Sequence, residues 1–426
     1  MYGPLNAQSL IGLAAVMGLC WAVSEDRRRF PWKLAIGAVV VQLLLVLLLF
    51  GVPQARAALQ GIGKGVDGLS ASTAAGTEFV FGYLAGGDQP YAMNNPQALF
   101  VFAFKVLPVI LVVCALSALL WHLRVLKWIT QGFGFLFEKT LGLRGPPALA
   151  VAATIFMGQV EGPIFIRAYL DKLSRSELFM LMSVGMSCVS GSTMVAYATI
   201  LKDSLPNAAA HVLTASLISA PAGVLLARII VPAGKVEAAG EASFGDDKTY
   251  DSAIDAVSHG IGDGLQVVLN VAATLIVFVA FVAIADRLLS IAPLVQGRPV
   301  TVERGLGVIF SPLAWCLGVP WSEAPAAGQL LGVKMVLTEF SAFIQLGHMP
   351  AGALSERTRM IMTYALCGFA NIGSVGINVS GFGVLAPSRR AEVLGLIWKA
   401  LMAGFLATCM TASVIGALPS SLFQGG

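Results

Sequence analysis

The sequence predicts an all-α polytopic membrane protein with eight transmembrane helices, two re-entrant helical hairpins, inverted repeats and interfacial helices. Three observations predict it. Of 426 residues, 57% are hydrophobic and only 12% charged, with a mean hydropathy of +0.81, whereas soluble domains carry about 25% charge. An apolar stretch is broken at Gly158-Gln159-Val160-Glu161-Gly162-Pro163, where Gly and Pro interrupt a helix and a carboxylate at membrane depth costs about 2.5–3.5 kcal/mol. A second broken unit carrying Glu339 follows later, in a half of opposite orientation.

The first spans follow from hydropathy and charge. Residues 8–23 form an apolar run with no basic residues ahead of it, read as a retained first span and not a signal peptide. Arg27, Arg28, Arg29 and Lys33 follow, so this loop is cytoplasmic and the N-terminus lies outside. Residues 34–52 are the second span. Residues 53–96 are rich in Gly, Ala, Ser and Asn and predict an external segment, partly an interfacial helix. Residues 99–121 are the third span. Residues 122–139 interleave Trp and Phe with basic residues at helical spacing, the pattern of a helix in the cytoplasmic interface.

The hairpin around Glu161 then enters and leaves on the cytoplasmic side, with Arg167, Lys172 and Arg175 at its exit. Residues 178–201 are a span interrupted at Ser187-Cys188-Val189-Ser190-Gly191-Ser192-Thr193, and residues 208–231 cross back plainly. Residues 232–263 read as a cytoplasmic loop, 265–284 as a span and 286–304 as an external connector. The second hairpin is expected over residues 306–343, broken at Gly318-Val319-Pro320-Trp321-Ser322-Glu323-Ala324-Pro325 and continuing to Glu339. Residues 360–382 are a span interrupted around Asn371 and Ser374. Arg389 and Arg390 mark the cytoplasmic side before the last span, 393–418, which puts the C-terminus outside.

The resulting domains are an N-terminal scaffold (1–145), a first transport repeat (146–231), a loop, span and connector (232–305), and a second transport repeat (306–426). Paired interrupted segments in oppositely oriented halves point to a secondary transporter with its site at the midplane.

Other chemistries find little support. Cys20, Cys114, Cys188, Cys316, Cys367 and Cys409 lie in apolar stretches without a CxxC pair. His122, His211, His259 and His348 fall in loops or near segment ends, which argues against a His-based metal or catalytic centre. No cofactor is expected. A net charge of +4 spread over loops gives no nucleic-acid footprint. An intramembrane enzyme using Glu161 and Glu339 as an acid/base pair lacks a convincing nucleophile, and two hairpin tips disfavour the continuous pore of a channel.

Four motifs resemble those of the concentrative nucleoside transporters. Gly158-Gln159-Val160-Glu161 is similar to that family's G-Q-(T/S)-E, Gly318-Val319-Pro320-Trp321-Ser322-Glu323-Ala324 to GVPxxEA, Thr338-Glu339-Phe340 to N-E-F, and Ala365-Leu366-Cys367-Gly368-Phe369-Ala370-Asn371-Ile372-Gly373-Ser374 to ALCGFANxxS. The resemblance covers nearly the whole chain. It implies a bacterial inner-membrane homotrimer that imports nucleosides such as uridine with a coupling ion, by elevator-type alternating access in the lipid bilayer.

The expected substrate residues are Gln159, Val160, Glu161, Thr193, Glu339, Phe369, Asn371 and Ser374. Gln159 suits a base edge, with donors and an acceptor, or else satisfies the hairpin backbone. Glu339 suits vicinal ribose hydroxyls through charge-assisted bonds, or else pairs with Lys334. Asn371 and Ser374 complete the ribose shell or glue helices together. For Ser190 and Thr193 packing is an equal reading, Phe369 is a pocket wall or core, and Glu323 a shaper of its turn.

Sodium-coupled members of the family hold the cation between the first hairpin and the next interrupted span. The matching positions here are Thr154, Met157, Cys188 and Val189. Thr154 and Cys188 replace Asn and Ser, and a hard cation prefers oxygen to a thiol. Proton coupling through Glu161 or Glu339 is therefore expected, with sodium as the alternative. Val160 stands where the family carries a hydroxyl, which leaves the base preference open.

Overall fold

The computed structural model describes residues 3–423, except 91–100, 144, 160, 165, 203, 235–249, 292, 294–296, 298 and 351. Among the described residues there is no β-strand. The first spans are α1 (Pro4–Ala22) and α2 (Trp32–Gly51). Proline then opens α3 (Pro53–Phe81), where its missing N–H costs nothing. Within the weakly apolar segment 53–96 expected to be partly helical, residues 53–81 form one helix of 29 residues.

The rest of the chain runs through one series of elements twice. The first pass is α4 (Phe102–Lys105) with α5 (Leu107–His122), the amphipathic α6 (Val125–Leu141), the broken pair α7 (Pro146–Met157) and α8 (Glu161–Ile164), the interrupted span α9 (Arg175–Ser187) and α10 (Gly191–Leu201), and the plain span α11 (Ala208–Ile230). The second is α12 (Ala253–Leu289), the amphipathic α13 (Val302–Cys316), the broken pair α14 (Ala324–Val336) and α15 (Glu339–His348), the interrupted span α16 (Glu356–Leu366) and α17 (Ile372–Leu385), and the plain span α18 (Arg390–Ala417). Seven helices among the described residues are long and apolar enough to cross a membrane.

Local chemistry sets the helix starts. Ser174 and Glu177 form a reciprocal capping box at α9, with Glu177 N to Ser174 Oγ at 3.2 Å and Ser174 N to Glu177 Oε2 at 2.7 Å. Ser355 caps α16, Thr338 caps α15 and Asn371 caps α17, each side chain accepting an otherwise unpaired amide.

Two expectations change. The break at residues 318–323 is not the tip of the second hairpin. It joins the antiparallel pair α13 and α14, which pack so closely that a Cβ on Gly328 would lie 2.6 Å from the Gly307 carbonyl oxygen. The tip is Leu337 and Thr338, immediately before Glu339. The loop expected to end at residue 263 gives way to helix at Ala253, because Ser252 Oγ accepts the Asp255 amide at 3.1 Å. Small residues then let α12 lie on α5, and a Cβ at Gly260 would come within 2.6 Å of Ala115 Cα.

The buried core sits where α9, α11 and α18 meet. Against it pack α1, on α18, and α2, on α11. By contrast α12 leaves Leu269, Ile276 and Phe281 exposed along its outer side.

Candidate functional site

The breaks of the two interrupted spans touch. Phe369 N donates to Cys188 O at 3.3 Å, and a Cβ on Gly368 would lie 2.7 Å from Ser187 O. Backbone groups freed by each break are tolerated at membrane depth because they face protein.

Beside this crossing lies a closed polar cluster. Glu339, the first residue of α15, is 4% exposed. Its Oε1 accepts the Tyr197 hydroxyl from α10 at 2.8 Å, and its Oε2 accepts Asn371 Nδ2 at 2.5 Å. Asn371 uses its other end as a cap, Oδ1 accepting Ser374 N at 2.8 Å. Tyr197 is held by stacking on Phe343, with centroids 4.4 Å apart, and edge-on by Phe340. Lys334 does not pair with Glu339. Its ammonium donates to Ala365 O at 2.8 Å and Thr408 Oγ1 at 2.7 Å, over the Phe405 ring. The carboxylate therefore keeps lone pairs for further donors.

The first hairpin supplies the opposite wall. Gln159 is buried and packs against Gly185, where an added Cβ would approach Gln159 Cβ at 2.9 Å. Asn378 Nδ2 reaches Gln159 Oε1 at 3.4 Å. Gly158 takes a φ of 118° at the turn, a left-handed region suited to glycine. Glu161 is exposed at the start of α8, with Oε2 close to Gly158. Val160 lies outside the described residues. Thr193 is buried and donates to Ser190 O at 2.9 Å, while Ser190 Oγ lies 3.1 Å from Thr193 Oγ1. Phe369 is half-buried.

Of the residues read as a cation site, Cys188 and Val189 share Ser216 as a neighbour. Thr154 Oγ1 donates to Ala150 O at 2.8 Å, and Cys188 Sγ points at Ser216 O at 3.7 Å. Ser216 Oγ stands 3.3 Å from Val189 O and 3.4 Å from Ile155 O. Met157 packs with Trp121 and Leu149.

Sequence reading missed Tyr197, Ser216 and Asn378. Tyr197 lies one turn beyond Thr193, and Asn378 one turn beyond Ser374, so helical spacing from residues already chosen was the available signal. Ser216, on α11, carried none.

A repeated helical fold whose two broken halves cross beside a closed polar site defines a membrane transporter. The family descriptions that match are "Na+ dependent nucleoside transporter N-terminus" over residues 11–84, "Nucleoside recognition" over 103–204 and "Na+ dependent nucleoside transporter C-terminus" over 211–416. Among curated relatives, the nucleoside permease NupC of Helicobacter pylori is 34% identical over 96% of each chain. The sodium/nucleoside cotransporter 1 of Rattus norvegicus is 30% identical over 97% of this chain and 64% of its own length. A solved structure of CNTnw in an inward-facing substrate-bound state superposes with a TM-score of 0.89 at 33% identity, covering 99% of both chains. The chain belongs to the concentrative nucleoside transporter family. It is a multi-pass membrane protein and a nucleoside transporter, not an enzyme.

Proposed function

We propose that the protein is a proton-coupled symporter that imports nucleosides across the bacterial inner membrane, with both termini outside. The carrying observation is Glu339, a buried carboxylate held by Tyr197 and Asn371 with acceptor capacity to spare. It grips the ribose hydroxyls, with Asn371 and Ser374 beside it, while Gln159 faces the base. Thr193 and Phe369 line the space, and Val160 and Glu161 complete the hairpin side. The proton carrier is one of the two hairpin carboxylates, Glu161 or Glu339. Cys188 supports proton over sodium coupling, since its side chain is a thiol where a hard cation prefers oxygen.

A second reading, sodium coupling, is favoured by one observation. The Ser216 hydroxyl lies close to the carbonyls of Ile155 and Val189, which makes a partial oxygen shell beside Cys188 of the kind a hard cation takes. The sodium-dependent relatives favour it as well.

The mechanism we propose is an elevator in a homotrimer. Residues 1–145 are expected from sequence to be scaffold, but the packing of α1 on α18 and of α2 on α11 supports counting these two spans with the moving body instead, and the α5–α12 pair as the fixed one. The exposed apolar side of α12 suits lipid or a neighbouring subunit. Uridine uptake into proteoliposomes, with sodium replaced by choline and an inward proton gradient imposed separately, tests the coupling. Accumulation driven by the proton gradient alone is expected. Strict dependence on sodium overturns the proton assignment.

A further inference from the structure

Asn378 has no role in the site as derived so far. It is fully buried on α17, and the buried residues of that helix, Ser374, Asn378 and Phe382, form one stripe. The same stripe starts at Asn371, the cap that holds Glu339. Asn378 is therefore two turns along the face that already carries the polar site.

Its two amide ends are used unequally. Nδ2 donates to Gln159 Oε1 at 3.4 Å. Oδ1 is buried and has no partner among the described residues. A buried acceptor left unpaired is unfavourable, and one that faces a binding site calls for a ligand donor. The contact also fixes Gln159. With Oε1 directed at Asn378, the Gln159 amide hydrogens remain, and no described residue accepts them. Of the two joined carboxamides, Gln159 Nε2 is left as a donor and Asn378 Oδ1 as an acceptor. A ring N–H beside a ring carbonyl is the complementary edge.

We infer that Asn378 is a specificity-determining residue, which reads the nucleobase jointly with Gln159 by accepting from a ring N–H next to the carbonyl that Gln159 binds. Val160, next to Gln159 in sequence, brings no hydrogen-bonding side chain, so α17 supplies a base contact in addition to those of the hairpin. The inference rests on the reading of the site as a nucleoside site.

The test compares uridine with zebularine, the pyrimidin-2-one riboside, which keeps the ribose but lacks both the ring N–H at position 3 and the carbonyl at position 4. Apparent affinities for uptake are measured in proteoliposomes for the parent and for Asn378→Leu. The parent is expected to favour uridine by about tenfold or more. In Asn378→Leu that preference is expected to shrink by about tenfold, with zebularine nearly unaffected. Asn378→Ala, which leaves only a small apolar stub, gives the same readout if Leu does not fold. Equal weakening of both nucleosides shows a packing role and overturns the inference. An unchanged uridine preference overturns it too. A parent protein that transports neither nucleoside overturns the underlying site reading instead.

Discussion

Tyr197 donates its hydroxyl to Glu339 at 2.8 Å across the junction of the two repeats, from α10 in the first to α15 in the second. Neither residue belongs to the other's half of the chain, so the bond exists only when both halves are assembled. It orients the carboxylate that the proposed ribose contact needs. Tyr197→Phe is expected to weaken uridine uptake about tenfold, since a hydrogen bond to a charged group is worth about 1.5–3 kcal/mol. Glu339→Gln is expected to lose more, about 2–5 kcal/mol. Both are checked by uptake kinetics on protein shown to be folded by size-exclusion chromatography. Normal transport by Glu339→Gln would remove the carboxylate from the mechanism.

Gly368 sits where the two breaks touch. A Cβ there would lie 2.6 Å from Thr408 Cγ2 and 2.7 Å from the Ser187 carbonyl oxygen. Backbone cannot yield as a side-chain tip can. Gly368→Ala is therefore expected to destabilise the protein by about 1–3 kcal/mol, the usual range for overpacking. Thermal unfolding in detergent measures it, and a melting temperature equal to the parent's would contradict the close approach.

Glu25 meets Arg175 at 3.0 Å and Lys399 at 2.8 Å, linking the α1–α2 loop to α9 and α18. The Arg175 hydrogen bond draws the Glu25 carboxyl below its ordinary value, partial burial opposes this, and Lys399 adds to the pull. The folded value is thus depressed. Its contribution is full above the unfolded value and disappears as pH falls through the folded one. The window lies at about pH 5 and below. For so exposed a pair the size is under about 1 kcal/mol. Glu25→Gln is expected to lower stability slightly at pH 7, with the deficit shrinking as pH falls toward 3, as read from melting temperatures across that range. An equal deficit at both ends would mean the charge is not responsible.

Cys188 offers sulfur where a hard cation prefers oxygen. Cys188→Ser places a hydroxyl near Ser216 O, which the thiol now faces at 3.7 Å. The variant is expected to show uridine uptake stimulated several-fold more by sodium than the parent's. If sodium stimulates parent and variant alike, the thiol does not set ion preference.

The sequence alone determined the membrane class, because a chain with 12% charged residues cannot cover a water-soluble surface. It also determined the two broken repeats. Gly158 with Pro163, the run from Ser187 to Thr193, and Cys367 with Asn371 are local helix interruptions, legible wherever they occur along a chain. Asn371 begins α17 because its side chain accepts the Ser374 amide three residues on. Gln159, Glu339, Asn371 and Ser374 could be chosen because a polar group at membrane depth is costly enough to stand out against its neighbours.

Tertiary structure decided what joins what. The second hairpin turns at Leu337 and Thr338, while the Pro- and Gly-rich stretch near Gly318 joins α13 to α14. The sequence holds both breaks, but only packing shows which helices they pair. Lys334 is close to Glu339 in sequence yet bonds Ala365 and Thr408 instead, because α14 directs it into the core against α16 and α18. Tyr197 and Glu339 are 142 residues apart, and Gln159 and Asn378 are 219 apart. No local pattern encodes such pairs. They form when interrupted helices from separate halves of the chain close on one another and leave their polar groups no other partners.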